Sequence, residues 1–146
     1  MRAIENNFTG RQRVVAEMRA MIARPYRDFI TWGSLYDVSD EVEQERQRDL
    51  VSWSLDNLRK RYLPRSMWLE AGTRKKIEAY IEGACTLFEE LSRDVETNGY
   101  ARVRANIVRR ATRELGALRR EAENSLGAEM EPANQGRWRL RRGSSR

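Results

Sequence analysis

Two runs of apolar residues constrain this chain more than anything else in it. The first is Ile77, Tyr80, Ile81, Ala84, Phe88, Leu91 and Val95; the second is Ile107, Val108, Ala111, Leu115, Leu118, Ala122 and Leu126. Both recur mainly at three and four, the interval that returns a side chain to one face of a helix. Between them stand Thr97, Asn98 and Gly99, and Gly99 suits the left-handed residue just past a helix end. The pattern predicts helices over 72–95 and 100–126, made antiparallel by their short connection. A helical hairpin is a scaffold, and its pattern names no chemistry.

Upstream, Ser39 and Asp40 open a further helix over 40–62. Glu41, Glu43 and Glu45 lie at its positive end and Arg59, Lys60 and Arg61 at its negative end. The Asp40–Glu43 spacing fits a capping box. Leu50, Val51, Trp53, Leu55, Leu58 and Tyr62 form the expected buried side, Glu43 to Asp49 is expected to project past the core, and Pro64 is the expected stop. Arg65 to Trp68 reads as a corner where Met67, Trp68 and Leu69 plug the bundle end. From Thr9 a short helix bearing Val14, Val15, Met18, Met21 and Ile22 is expected to close at Pro25. The aromatics Tyr26, Phe29, Trp32 and Tyr36 follow, interrupted by Gly33 and Ser34, which predicts a short helix and then a loop. Four aromatics this close need cover, either from the bundle or from another chain.

The expected fold is therefore all-α: an antiparallel helical bundle of three long helices with an N-terminal helical segment packed across it. The expected divisions are an N-terminal segment over 1–38, the bundle over 39–127 and a disordered basic tail over 128–146.

Composition removes most catalytic possibilities. The chain has no histidine and one cysteine, Cys85. A Cys/His zinc site, a Ser-His-Asp relay and a Cys-His pair are all excluded. Cys85 falls beside the apolar stripe and reads as a small hydrophobe, with Glu82 and Glu89 nearby disfavouring a thiolate. The carboxylate pairs Glu89–Glu90 and Glu90–Asp94 fall on an outer helix face rather than in a cleft. No enzyme activity, cofactor, metal or small-molecule substrate is expected. The longest uncharged stretch before the C-terminal half, Phe29 to Tyr36, is far short of the roughly 20 residues that span a bilayer. No secretory signal is visible, so a cytoplasmic protein is expected.

Of 28 basic residues, only Lys60, Lys75 and Lys76 are lysine. GC-rich codon usage produces such a bias, and so does selection for a planar fork that binds phosphates and carboxylates. Arg102, Arg109, Arg113 and Arg120 cluster opposite the apolar stripe of the last helix. In the tail, Arg137, Arg139, Arg141 and Arg142 alternate with Trp138 and Leu140. Either set reads as a solvated surface or as a grip on nucleic acid or an anionic membrane surface.

The apolar helix from Leu50, the Tyr62-Leu63-Pro64 corner, Trp68 and the following hairpin resemble the helical-bundle region of uncharacterised bacterial proteins of unknown function. The resemblance covers residues 50–126 and implies a bundle; in those proteins it often trails a membrane-anchoring segment, and no site residue carries over. The leading expectation is a non-enzymatic protein-interaction or assembly module, with a protein partner or a homo-oligomer and with Tyr26, Phe29, Trp32 and Tyr36 as contacts. The alternative is a nucleic-acid-binding accessory protein using the arginine face and the basic tail. No helix-turn-helix signal accompanies that alternative.

Overall fold

The computed structural model describes residues 2–130, with side chains from Gly10 onward. It is all-α. Helix α1 spans Arg2–Gly33, α2 Glu41–Arg65 and α3 Ala71–Asn98. A 3₁₀ turn, Ser66–Trp68, joins α2 to α3. The last helix, α4, is one rod with a π-helical turn inside it: Tyr100–Arg110, Ala111–Leu115, then Gly116–Glu129.

The N-terminal region departs from expectation. Helix α1 does not close at Pro25 but runs through it for 32 residues, as a full fourth helix rather than a segment laid across three. An interior proline costs about 3 kcal/mol. Against that stand Met18, Ile22, Phe29 and Trp32, all essentially inaccessible. Each buried side chain of this size contributes about 1.5–3 kcal/mol, so the face outweighs the proline. The same helix then ends at Gly33, where the chain lies tight against α4. A Cβ there would stand 2.7 Å from Val108 Cγ2 and 2.9 Å from the Arg104 carbonyl oxygen. The buried residues from Val14 to Leu35 thus share one core with α2, α3 and α4.

Pairs along the helices fix the topology. Gln47 Nε2 donates to the Asp28 carbonyl at 3.3 Å and Arg65 Nε to Glu17 at 2.6 Å, so α1 and α2 are antiparallel. Tyr62 with Glu78 and Arg48 with Glu96 set α2 against α3 in the same sense. Thr73 with Ser125 and Arg110 with Glu90 do so for α3 and α4. Across the middle, the Tyr80 hydroxyl donates to the Ile22 carbonyl at 2.6 Å and Phe29 meets Phe88, bringing α1 and α3 together. The result is an up-down-up-down four-helix bundle.

Local signals explain the boundaries. The Asp40 carboxylate caps Glu43 N at 3.0 Å, but Glu43 turns to Arg46 instead of reaching back, so only half a capping box forms. Residues 43–49 do not project freely, because Gln47 is buried against α1. Pro64 is included in the last turn of α2, where it is exposed and solvent can take the place of a lost bond. Gly99, at φ +87°, donates its N–H to the Val95 carbonyl and ends α3 as expected.

The π turn has a cause in spacing. Buried residues of α4 fall at Val103, Ile107, Ala111 and Leu115, three successive steps of four. Each such step overshoots a helical turn by about 40°. A wider turn, with Gly116 N–H bonded to the Ala111 carbonyl, absorbs the drift and keeps the following Ala122 and Leu126 on the core.

On α3 the seam is Ile77, Tyr80, Ala84, Leu87 and Leu91. Phe88, expected in the core, is half-buried at its margin, with its ring 6.4 Å from Phe29 and 5.8 Å from Trp32. At the end of the bundle, Arg11 and Glu129 form an ion pair with 8% and 3% of their side chains exposed. Glu129 also accepts from Glu70 N at 3.1 Å, tying α1, α3 and α4 together.

Candidate interaction surfaces

The arginine row of α4 forms as a surface. Arg102, Arg109, Arg113 and Arg120 are all exposed, in steps of seven, four and seven along about 27 Å of helix. Arg109 is steadied by Asn106 at 2.6 Å. Between them, Arg110 leans inward to Glu90 at 2.7 Å and Glu114 at 2.6 Å, and those hydrogen bonds hold its guanidinium more firmly protonated. Glu114 and Glu121 also reach this outer surface, so it is basic but not uniformly so. Arg137, Trp138, Arg139, Arg141 and Arg142 lie outside the described residues.

The four aromatics do not act as one patch. Phe29 and Trp32 are buried in the core, against Phe88 at its margin, which withdraws both as partner contacts. The reason is α1 itself: at 29 and 32 its continued helix faces inward. Tyr26 is half-buried, its ring capped by the Arg119 guanidinium at 4.3 Å and seated against Gly116. Only Tyr36, in the α1–α2 loop, is fully exposed.

Exposed apolar surface lies elsewhere. Trp53, expected inside, is 53% exposed on the outer side of α2, with Arg24 stacked 5.2 Å from its ring centre. Val51, Leu55, Leu58 and Tyr62 hold the inward face at steps of four, three and four, so Trp53 points away. That heptad spacing is the signal that separates it from its neighbours. Val42, Leu63 and Met67 are also largely exposed. Of the three expected plugs, Leu69 is buried, Trp68 leans on Gly10 and Met67 faces solvent.

Two grooves flank α3. Between α2 and α3 a groove of about 420 Å³ is floored by Tyr62, Leu63 and Ile81 and edged by Glu78, Glu82 and Glu89. The Tyr62 hydroxyl donates to Glu78 at 2.6 Å, and burial together with that carboxylate raises its pKa. Cys85 is half-buried in the same groove, with Arg59 Nη2 at 3.1 Å from its sulfur. Between α3 and α4 a second groove, of about 390 Å³, lies against the π turn. Of its three carboxylates, Glu90 and Glu114 are engaged by Arg110, and Glu82 is shared with the first groove. Asp94 accepts from Asn98. Among the described residues, no three of Cys, Asp or Glu converge as a metal site. No described helix is long and apolar enough to cross a membrane.

Comparison with protein-family models, curated proteins and solved structures finds no match.

Proposed function

We propose that this protein is a non-enzymatic helical assembly module, docking on a protein partner or a second copy through the outer side of α2 and its flanking turns. One observation carries the reading. The large apolar side chains exposed among the described residues, Tyr36, Val38, Val42, Trp53, Leu63, Met67 and Trp68, all fall between positions 36 and 68. The exposed sides of α3 and α4 are polar by contrast. Apolar side chains concentrated on α2 (Val42, Trp53 and Leu63) and on the turns that flank it are what a partner-binding surface displays. Light scattering across a wide concentration range, with Trp53→Glu beside the parent, tests it. Association lost in the variant while helicity is kept supports the module; a monomer throughout, with no partner in pull-downs, refutes it.

The exposed row of Arg102, Arg109, Arg113 and Arg120 favours a second reading, contact with nucleic acid or an anionic membrane surface. Binding would act by counterion release, weakening steeply with salt and showing little sequence preference. Titration with random-sequence DNA and RNA at two salt concentrations tests it, and salt-independent binding, or none at low salt, refutes it.

A further inference from the structure

The groove between α2 and α3 has an acidic wall that neither reading uses, and shares only Leu63 with the first. Its floor is apolar, with Leu63 69% exposed above nearly buried Tyr62 and Ile81. Its α3 wall is acidic: Glu78, Glu82 and Glu89 fall within about 40° on the helix, all exposed. Arg59 is the basic member of the lining, and its guanidinium is turned onto Cys85. A fitting occupant is an extended segment with large apolar side chains and several cations.

The chain itself contains such a segment. Residues 131–146 carry five arginines and one glutamate, with Trp138 and Leu140 set between arginines. We infer that residues 131–146 dock in cis into the α2–α3 groove, Trp138 and Leu140 on its floor and the neighbouring arginines against Glu78, Glu82 and Glu89. Reach permits it. Helix α4 finishes beside the start of α3, where Glu129 accepts from Glu70 N at 3.1 Å. From Glu70, Glu78 lies about 12 Å and Glu89 about 28 Å along α3. Residues 131–138, fully extended, span at most about 26–29 Å. The α3–α4 groove competes poorly, because Arg110 lies in its lining and engages two of its three carboxylates, Glu90 and Glu114, leaving only Glu82, which the α2–α3 groove shares. Docking would withhold the tail arginines from any anionic partner, but it does not depend on such a partner existing.

Cys85, the only cysteine, lines the groove and reports on its occupancy. The test is the alkylation rate of Cys85 by a neutral maleimide, measured in the full chain above the ordinary thiol pKa so that access rather than ionisation sets the rate. Two tail variants are compared with the parent: Trp138→Ala, and Arg137→Glu with Arg139→Glu and Arg141→Glu. Docking predicts that both react several-fold faster than the parent, and that 1 M salt brings the parent toward the charge-reversed rate. In a Glu82→Gln, Glu89→Gln background, the tail substitutions should add little further. Equal rates in parent and tail variants overturn the proposal. So does protection that grows with protein concentration, which would place a second copy in the groove, and so does a tail effect of full size in the neutralised background.

Discussion

Helix α2 and the α3–α4 hairpin solve the same packing problem with opposite economy. The hairpin keeps its apolar residues on one side: Ile77, Tyr80, Leu91, Ile107, Ala111 and Leu126 are all inside, and its outer surface is glutamate and arginine. Helix α2 is apolar on two sides, with Val51, Leu55, Leu58 and Tyr62 inside and Val42, Trp53 and Leu63 outside. Leaving a large apolar side chain in water forgoes about 1.5–3 kcal/mol of burial. One helix does so repeatedly while its neighbours do not, and the proposed docking rests on that contrast.

The sharpest way to break this comparison is to exchange indole for methyl on each side of it. Trp32 is 1% exposed and packed among Phe29 and Phe88, so Trp32→Ala should cost about 3–5 kcal/mol in chemical denaturation. A loss below about 1 kcal/mol would mean that α1 is not a full member of the core. Glu129→Ala should come next. It removes the carboxylate that pairs with buried Arg11 and accepts from Glu70 N. Breaking a buried pair from one side costs about 3–5 kcal/mol, and Glu70 at 3.8 Å from Arg11 should hold the loss near the lower figure. An unchanged midpoint would show that the end of α4 is not fastened to α1.

Alkaline pH probes the interior through its tyrosines. Burial raises the pKa of Tyr62, Tyr80 and Tyr100, with Glu78 adding to it at Tyr62. The folded state therefore keeps phenolic protons that the unfolded chain gives up near pH 10. Stability is unaffected by these groups below that pH and falls as pH rises above it, by at most about 1.4 kcal/mol per unit for each tyrosine. Denaturation midpoints between pH 8 and 11 check the direction; a flat profile would contradict the burial of all three.

The hairpin was legible in the sequence because its apolar stripe is single and Gly99 marks its turn. Even there, Ala84 to Leu91 can be bridged through Leu87 or Phe88 at permitted intervals; the structure buries Leu87 and leaves Phe88 half-buried against Phe29 and Trp32 of α1. Helix α1 departs from its local sequence signals for a different reason. A proline is a strong local signal, whereas the burial of Phe29 and Trp32 that overrides it depends on α3 and α4, far away in sequence. The exposure of the arginine row on α4 was legible, because a face opposite a clean stripe follows from helix geometry. The aromatic segment was not: partner-facing and core-facing aromatics look alike until the helix carrying them is known to continue.

Trp53→Ala is the smallest change in stability and the most informative about the comparison. The indole is half-exposed and stacks with the Arg24 guanidinium, a cation–π contact worth about 0.5–1 kcal/mol at an exposed site. Folding stability should therefore fall by no more than about 1 kcal/mol, a fraction of the Trp32→Ala loss. Association should respond the other way round. If the outer side of α2 is where a partner or second copy sits, a central tryptophan there is the residue type whose truncation costs most in binding, about 2 kcal/mol or more. Trp32→Ala would then unfold the protein without singling out the interface, and Trp53→Ala would abolish assembly in a protein that melts almost normally. A large stability loss at Trp53 would instead mean that α2 packs outward as well as inward within its own chain, and the contrast between the two helices would disappear.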